Sequence, residues 1–403
     1  MTSREVTAPD LGAIFRDEAG RLTAGLVRWL GDFDLAEESA QEALLEALEH
    51  WPREGVPERP GAWLAAVGRR KAIDRIRREA RYREKLARLE AQPVQTTDPE
   101  DRLRLMFLCC HPALSREAQI ALTLRAVLGL TTEQIARALL SNEVAVAQRI
   151  VRAKRKIVEA GIGYRLPDDS ELGDRLGHLL AVIYLLFNEG YLTTSGPVPE
   201  RRDLAEDAEW LAALLTRLLP TEPEPLGLLA LIRLHLARSA ARFDAEGDLV
   251  LLEDQDRSLW NRRAITATVK LIERAAARGR PGPYQVQAAI AAVHAESPSW
   301  DETDWLQVLL LYELLVMLEP TPVARLNRAI ALERVAGPSA ALAAVDEVAA
   351  DLEGYHLFHA TRGTLLQRLG RGGEALPELR QALALTANPA ERALLERRIA
   401  TTN

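Results

Sequence analysis

Three observations predict an all-helical protein of more than one domain. Alanine and leucine dominate the 403 residues while aromatic side chains make up only 5%. Apolar positions recur at three- and four-residue spacing in one segment after another, the period of a helix face. No alternating strand pattern of useful length occurs. A chain this long can bury two or three separate cores. Its charge is divided: residues 1–160 hold 26 Lys and Arg against 24 Asp and Glu, or +2, and the remainder holds 25 against 34, or −9. The first part can build a local nucleic-acid surface, whereas the acidic remainder would be a poor DNA binder and could shield basic helices.

The first informative helix runs from Asp34 to Trp51. Asp34, Glu37, Glu38, Gln41 and Glu42 put four carboxylates and an amide on about two turns, a pattern suited to a basic partner surface or simply to solvent. A loop between Pro52 and Pro60 follows, with Arg53, Glu54 and Arg59 as polar candidates. The next helix opens on Ala62, Trp63, Leu64 and Val67, and carries Ile73, Ile76 and Ala80 as a buried stripe. Residues 69–88 contain ten basic side chains against three acidic, with Lys71, Arg75 and Arg78 on the face opposite that stripe and Arg70, Arg77 and Arg81 alongside. Cations in a row along a helix packed on one side can follow a phosphate backbone, and Trp63 and Tyr82 offer rings for an unpaired base.

The polar, proline-bearing stretch Gln92–Pro99 reads as a linker. Cys109 and Cys110, followed by His111, are the chain's two cysteines; without a second pair they predict apolar packing and no metal site. Residues 116–128 are apolar at helical spacing, and Gly129 stops that helix. Thr131 and Gln134 form a capping box for the next one, and Ser141 or Asn142 caps a third. That third helix is expected to turn Val144, Ala147, Ile150 and Val151 inward and Ala145, Gln148, Arg149, Arg152 and Lys156 outward. Two helices around a tight turn with a basic outer face describe a helix-turn-helix or an ordinary antiparallel pair, although the turn carries Leu140 where glycine would be expected.

Beyond residue 170 one internal repeat is visible. Leu326, Arg328, Leu332, Ala341 and Leu342 return 34 residues on as Ala360, Arg362, Leu366, Ala375 and Leu376, with Gly337 and Gly370 near the turns. That is the tetratricopeptide period, and residues 204–292 would continue the superhelix in degenerate form. The polar clusters Asn188-Glu189 and Asp254 to Arg257 are either a ligand site or buried hydrogen bonds that pin helices. No glycine loop for phosphate, nucleophile elbow or paired-histidine zinc motif accompanies the acidic residues, His235 or His294, so no enzyme and no cofactor are expected. Leu179 to Phe187 is far short of the roughly 20 residues of a membrane span, and Thr2 to Asp10 is polar, so a cytoplasmic protein without a membrane partner is expected.

Together these modules make the chain resemble an extracytoplasmic-function sigma factor of bacterial RNA polymerase. The run from Asp34 to Trp51 is similar to the region 2 helix that docks on the polymerase clamp. Pro60 to Arg78 is similar to the helix that melts and reads the minus-10 element. Thr132-Glu133-Gln134-Ile135-Ala136 through Arg149 to Lys156 resembles region 4, which reads the minus-35 element. Phe187 to Tyr191, Asp254 to Ser258, Gly282-Pro283-Tyr284 and Leu326 to Ala329 resemble the long C-terminal extension of one group in that family. The resemblance implies region 2 at 1–90, a linker at 91–112, region 4 at 113–163 and a helical extension at 170–403, with repeats at about 321–400. It implies polymerase contacts at Asp34, Glu37, Glu38, Gln41 and Glu42. It implies minus-10 contacts at Arg59, Trp63, Arg70, Lys71, Asp74, Arg75, Arg77 and Arg78, and minus-35 contacts at Asn142, Gln148, Arg149, Arg152, Lys154 and Lys156. The expected partners are core RNA polymerase, promoter DNA and a protein bound by the extension. A helix-turn-helix regulator that does not act through polymerase is the alternative, and it would have no use for the 34–78 block.

Overall fold

The computed structural model describes residues 8–78, 94, 98–139, 141–191, 202–244 and 248–402. Arg81, Tyr82, Ala80, Leu140 and most of the stretch from Gln92 to Pro99 lie outside them. The described residues are helical, and their β-pairing is a single bridge between Phe243 and Leu249. Among the described residues no helix is long and apolar enough to cross a membrane. The chain forms two compact units, 1–186 and 187–403.

In the first unit α1 (Ala8–Leu30), α2 (Phe33–Glu54) and α3 (Pro60–Arg78) enclose one core built on Leu22, Leu26, Leu44, Leu64 and Ile76. Trp51 lies at its floor, its ring 5.5 Å from Phe15 and edge-on to Trp63 at 5.4 Å. Asp32 caps α2 by accepting from the Leu35 amide, and Gly55, at φ 87°, ends it in a conformation that only glycine adopts without strain. Within the stretch 91–112 expected to be a linker, Pro99–Cys109 is instead a helix, α4. Leu103, Leu105, Met106, Phe107 and Leu108 are buried along it. Five apolar side chains in six positions need a core, and that requirement outweighs the loop signal just upstream.

After α5 (Arg116–Leu122), Thr123–Val127 widens into a π-helical turn. Gly129 then reverses the chain at φ 75°, and a Cβ there would come 2.5 Å from Ala19 Cβ. Helix α6 (Thr132–Ala138) starts in the predicted capping box, Thr131 N donating to Gln134 Oε1 at 2.8 Å and Gln134 N to Thr131 Oγ1 at 3.2 Å. Helix α7 (Glu143–Glu159) follows, and α8 (Leu172–Tyr191) comes next in the chain. Cys109 and Cys110 are buried free thiols, as their apolar context predicts, and burial pushes the Cys110 thiol up to about 12.

The second unit contains α9 (Arg202–Leu218), α10 (Glu224–Leu236), α11 (Arg262–Ala276), α12 (Pro283–Glu296) and α13 (Trp305–Leu318). The hairpins α14 (Pro322–Ala336) with α15 (Pro338–Asp346), and α17 (His356–Arg368) with α18 (Gly372–Leu385), are separated by the short α16 (Ala349–Leu352) and followed by α19 (Pro389–Thr401). The first helices of the hairpins start at Pro322 and His356 and the second at Pro338 and Gly372, reproducing the 34-residue period of the sequence. Leu326, Ala341, Leu342, Leu366 and Ala375 share one core.

Hydrogen bonds of the Asp254 to Arg257 cluster pin helices. Arg257 donates to the carbonyls of His294 and Ser297 at 2.6 and 2.7 Å, and Asp256 accepts from the Ser258 amide. Tyr191 Oη donates to the His235 carbonyl, and the Arg242 guanidinium lies 3.6 Å from the centre of the Tyr191 ring. In Gly282-Pro283-Tyr284 the glycine makes room for Glu224, whose carboxylate accepts from the amides of Tyr284 and Gln285 and caps α12 from a neighbouring helix.

Candidate nucleic-acid interface

Helices α2 and α3 lie against each other with apolar faces inward, so their polar faces meet along one edge. Leu35, Ala36, Ala40, Ala43, Leu44, Ala47 and Trp51 take α2 into the core. That leaves Glu38, Glu42, Leu45, Leu48 and Glu49 on the opposite side, with Leu45 47% and Leu48 40% exposed. From α3, Arg75 reaches Glu38 at 2.6 Å and Glu42 at 3.6 Å. Arg70 and Lys71 share Glu46, at 2.5 and 2.9 Å. These two cations hold the Glu46 carboxyl below its ordinary pKa against the opposing pull of burial. Burial, together with its acidic neighbours, raises that of Glu38. Arg77 lies 3.8 Å from Asp74, and Arg78 donates to the Asp74 carbonyl; both arginines are exposed. Arg59 is exposed before α3, where its carbonyl accepts from the Ala62 and Trp63 amides. Trp63 is half-buried, one edge committed to Trp51.

The helix-turn-helix packs on this region through charge as well as apolar contact. Glu37, 1% exposed, accepts from Arg125 Nε at 2.6 Å and pairs with Lys154 Nζ at 2.5 Å, while Lys154 also reaches Asp34 at 2.7 Å. Those carboxylates hold the Lys154 ammonium above its ordinary pKa although burial opposes them. Gln41 is also buried, its Nε2 donating to the Arg125 carbonyl at 3.0 Å. Arg125 sits in the π-helical turn, whose extra residue per turn brings both its backbone and its side chain to α2.

The structure corrects the sequence reading at several positions. Lys154 points into the unit, away from a DNA-facing surface, because two carboxylates of α2 compensate it there. Glu37, held by Arg125 and Lys154, and Gln41, held by the Arg125 carbonyl, are turned inward and are not open to an outside partner. Asn142 accepts from the Ala145 amide at 2.7 Å and serves as the cap of α7. The inward face of α7 is Val146, Ile150, Ala153, Lys154 and Ile157, whereas Val144 and Val151 are 66% and 63% exposed. Gln148, Arg152 and Lys156 are exposed as expected, and Arg149 is half-buried near Glu117. Arg125, Leu45 and Leu48 escaped the sequence reading. The leucines were recoverable, since they fall off the apolar stripe of α2. Arg125 depends on a π turn for which no sequence signal was read.

An acidic helix packed on a basic one and joined to a helix-turn-helix, all within one helical unit, defines a two-module promoter-recognition protein. Residues 14–82 match the family model of sigma-70 region 2 and residues 104–157 that of sigma-70, region 4. Residues 175–276 match a family of unknown function, DUF6596. The ECF RNA polymerase sigma factor SigL of Mycobacterium tuberculosis is 34% identical over 154 residues, 36% of this chain and 85% of that protein. The probable ECF RNA polymerase sigma factor SigI of the same organism is 29% identical over 163 residues, 38% of this chain and 56% of its own length. An uncharacterized protein of Rhizobium meliloti (strain 1021), R00370, is 46% identical over 382 residues, covering 92% of this chain and 90% of its own. The chain belongs to the ECF sigma factors, and it carries a long C-terminal extension that the alignments with SigL and SigI are too short to span.

Proposed function

We propose that the chain acts as an alternative sigma factor. It grips core RNA polymerase through the exposed side of α2, contacts the minus-10 element through α3 and the minus-35 element through α7, and uses its C-terminal extension to modulate transcription. The observation that carries this reading is the side of α2 that the core leaves open, where acidic Glu38 and Glu42 flank exposed Leu45 and Leu48. Acidic residues around an apolar centre suit a basic, partly apolar helical partner. Once that partner takes Glu38, Glu42 and Glu46, the cations Arg70, Lys71 and Arg75 are released toward DNA, joining Arg59, Arg77 and Arg78 beside Trp63. In α7 the reading rests on Gln148, Arg149, Arg152 and Lys156, with Asp74 and Asn142 holding local geometry.

Core binding tests the proposal. Glu38→Lys with Glu42→Lys should reduce capture of core polymerase at least tenfold with the circular dichroism unchanged, and undiminished capture would count against it. Arg75→Ala with Arg78→Ala should weaken permanganate reactivity of the melted promoter. Truncation after residue 191, which keeps the Tyr164 bonds to the Ala24 and Asp101 carbonyls and the Arg175 bond to Phe107, should leave core binding intact while lowering transcription from the cognate promoter.

A further inference from the structure

The second unit contains a cavity of about 330 Å³, at the lower end of the roughly 300–1,000 Å³ typical of small-molecule sites. Its wall is mostly apolar, including Ile330, Leu357, Leu394 and the edge-on indoles of Trp300 and Trp305, whose centroids are 4.5 Å apart. The charged residues on the wall are nearly all matched. Arg368 pairs with Glu333 at 2.5 Å, His356 lies 3.1 Å from Glu391, and Arg334 stacks on both indoles and reaches Asp301 at 3.5 Å. Arg398 is the exception. Among the described residues its guanidinium donates to Thr364 Oγ1 at 2.9 Å and has no carboxylate within ion-pair distance. Arg398 is therefore a cation held in a mostly apolar wall without an ion-pair partner, so a complementary ligand brings an acceptor to it.

We propose that this cavity binds a small amphipathic carboxylic acid, its carboxylate on Arg398 and its hydrocarbon or aromatic body against the tryptophan pair, Ile330, Leu357 and Leu394. One unmatched cation among Glu253, Glu333 and Glu391 favours a monoanion over a phosphate dianion, which those carboxylates repel. A cavity of this volume has room for one small molecule. The ligand would touch α14, α17 and α19 together with the tryptophans that precede the repeats, and so stiffen the superhelix. Its influence on transcription rests on the proposed sigma function, but its binding does not.

Decanoate titrated into the full chain, followed by tryptophan emission, is the test, with decanol as the neutral probe and no polymerase or DNA present. Saturable decanoate binding is expected, weakened at least tenfold by Arg398→Gln and abolished by Thr361→Trp, which fills the cavity from α17. Decanol should bind more weakly than decanoate and be indifferent to Arg398→Gln. Absent saturation, equal binding of the two probes, or decanoate binding untouched by either folded variant would overturn the proposal. So would a short apolar peptide with a free C-terminal carboxylate that binds more tightly than decanoate. If Arg398→Gln fails to fold by circular dichroism, Thr361→Trp and the decanoate–decanol difference decide the outcome.

Discussion

Lys154 and Glu37 show how far a residue's role depends on partners distant in sequence. Glu37 is buried and held by two cations, so Lys154→Met removes one of them and leaves a carboxylate under-compensated. A loss of roughly 3 kcal/mol is expected in the urea transition of the first unit. Arg152→Ala, on the exposed face of the same helix, should change that transition by less than about 0.5 kcal/mol. A second residue-scale expectation concerns His294, which packs against Trp300 and Trp305 and is held down to about 4 by burial and by the nearby Arg238 and Arg257. Its folded pKa lies below the unfolded value, so between pH 6.5 and about 4 the unfolded chain binds the extra proton and stability falls as pH falls. Unfolding of the second unit followed by denaturant at pH 7 and at pH 4.5 should show this loss, and His294→Gln should flatten the dependence.

At the scale of elements, most helices are legible in the sequence because their start and stop signals are local. The capping box of α6, Gly129 and the 34-residue repeat all act within a turn or two of where they are written. The orientation of α7 is not local. Val144, Val151 and Val158, all exposed, form one apolar stripe, while Val146, Ile150, Ala153 and Ile157 form another. Hydropathy does not rank the two; the choice is made by the carboxylates of α2, which draw Lys154 inward. The acidic pattern of α2 is legible, but which acids remain outside depends on Arg125 and the π turn. The cap that Glu224 lends to α12 is equally non-local. Glu224→Ala strands the amides of Tyr284 and Gln285 and should cost about 1–3 kcal/mol, measurable as faster amide exchange at the start of α12. Gly282→Ala should act in the same direction by displacing that carboxylate.

For the whole molecule, the first compact unit holds the matches to sigma-70 regions 2 and 4, and it extends past the charge division drawn at residue 160, so that residues 1–186 carry 28 basic and 28 acidic side chains. The cavity of the second unit was not legible, because its walls come from Trp300, Arg334, Thr364 and Arg398, which no short motif links. A cut at Thr321 would divide a core of the extension. Ala324, Ala331 and Leu332 share a core with Val286, Val308 and Leu309, so a cut there would bare an apolar face. Removal of that segment should yield aggregation visible by light scattering, whereas the cut after residue 191 leaves this core undivided.

The ion pairs between α2 and α3 bear on how the protein responds to ionic strength. A duplex releases condensed counterions in proportion to the cations that replace them, with log K falling by about 0.9 per phosphate neutralised for each unit of log salt. Arg70, Lys71 and Arg75 are already neutralised internally by Glu46, Glu38 and Glu42, so for the free protein they add little to that slope. When Glu38→Gln with Glu42→Gln and Glu46→Gln removes those internal partners, the slope for promoter binding should steepen by up to about 3. Affinities measured across a potassium chloride series should therefore diverge at low salt and converge at high salt, making ionic strength a meter of whether the latch between the two helices is closed.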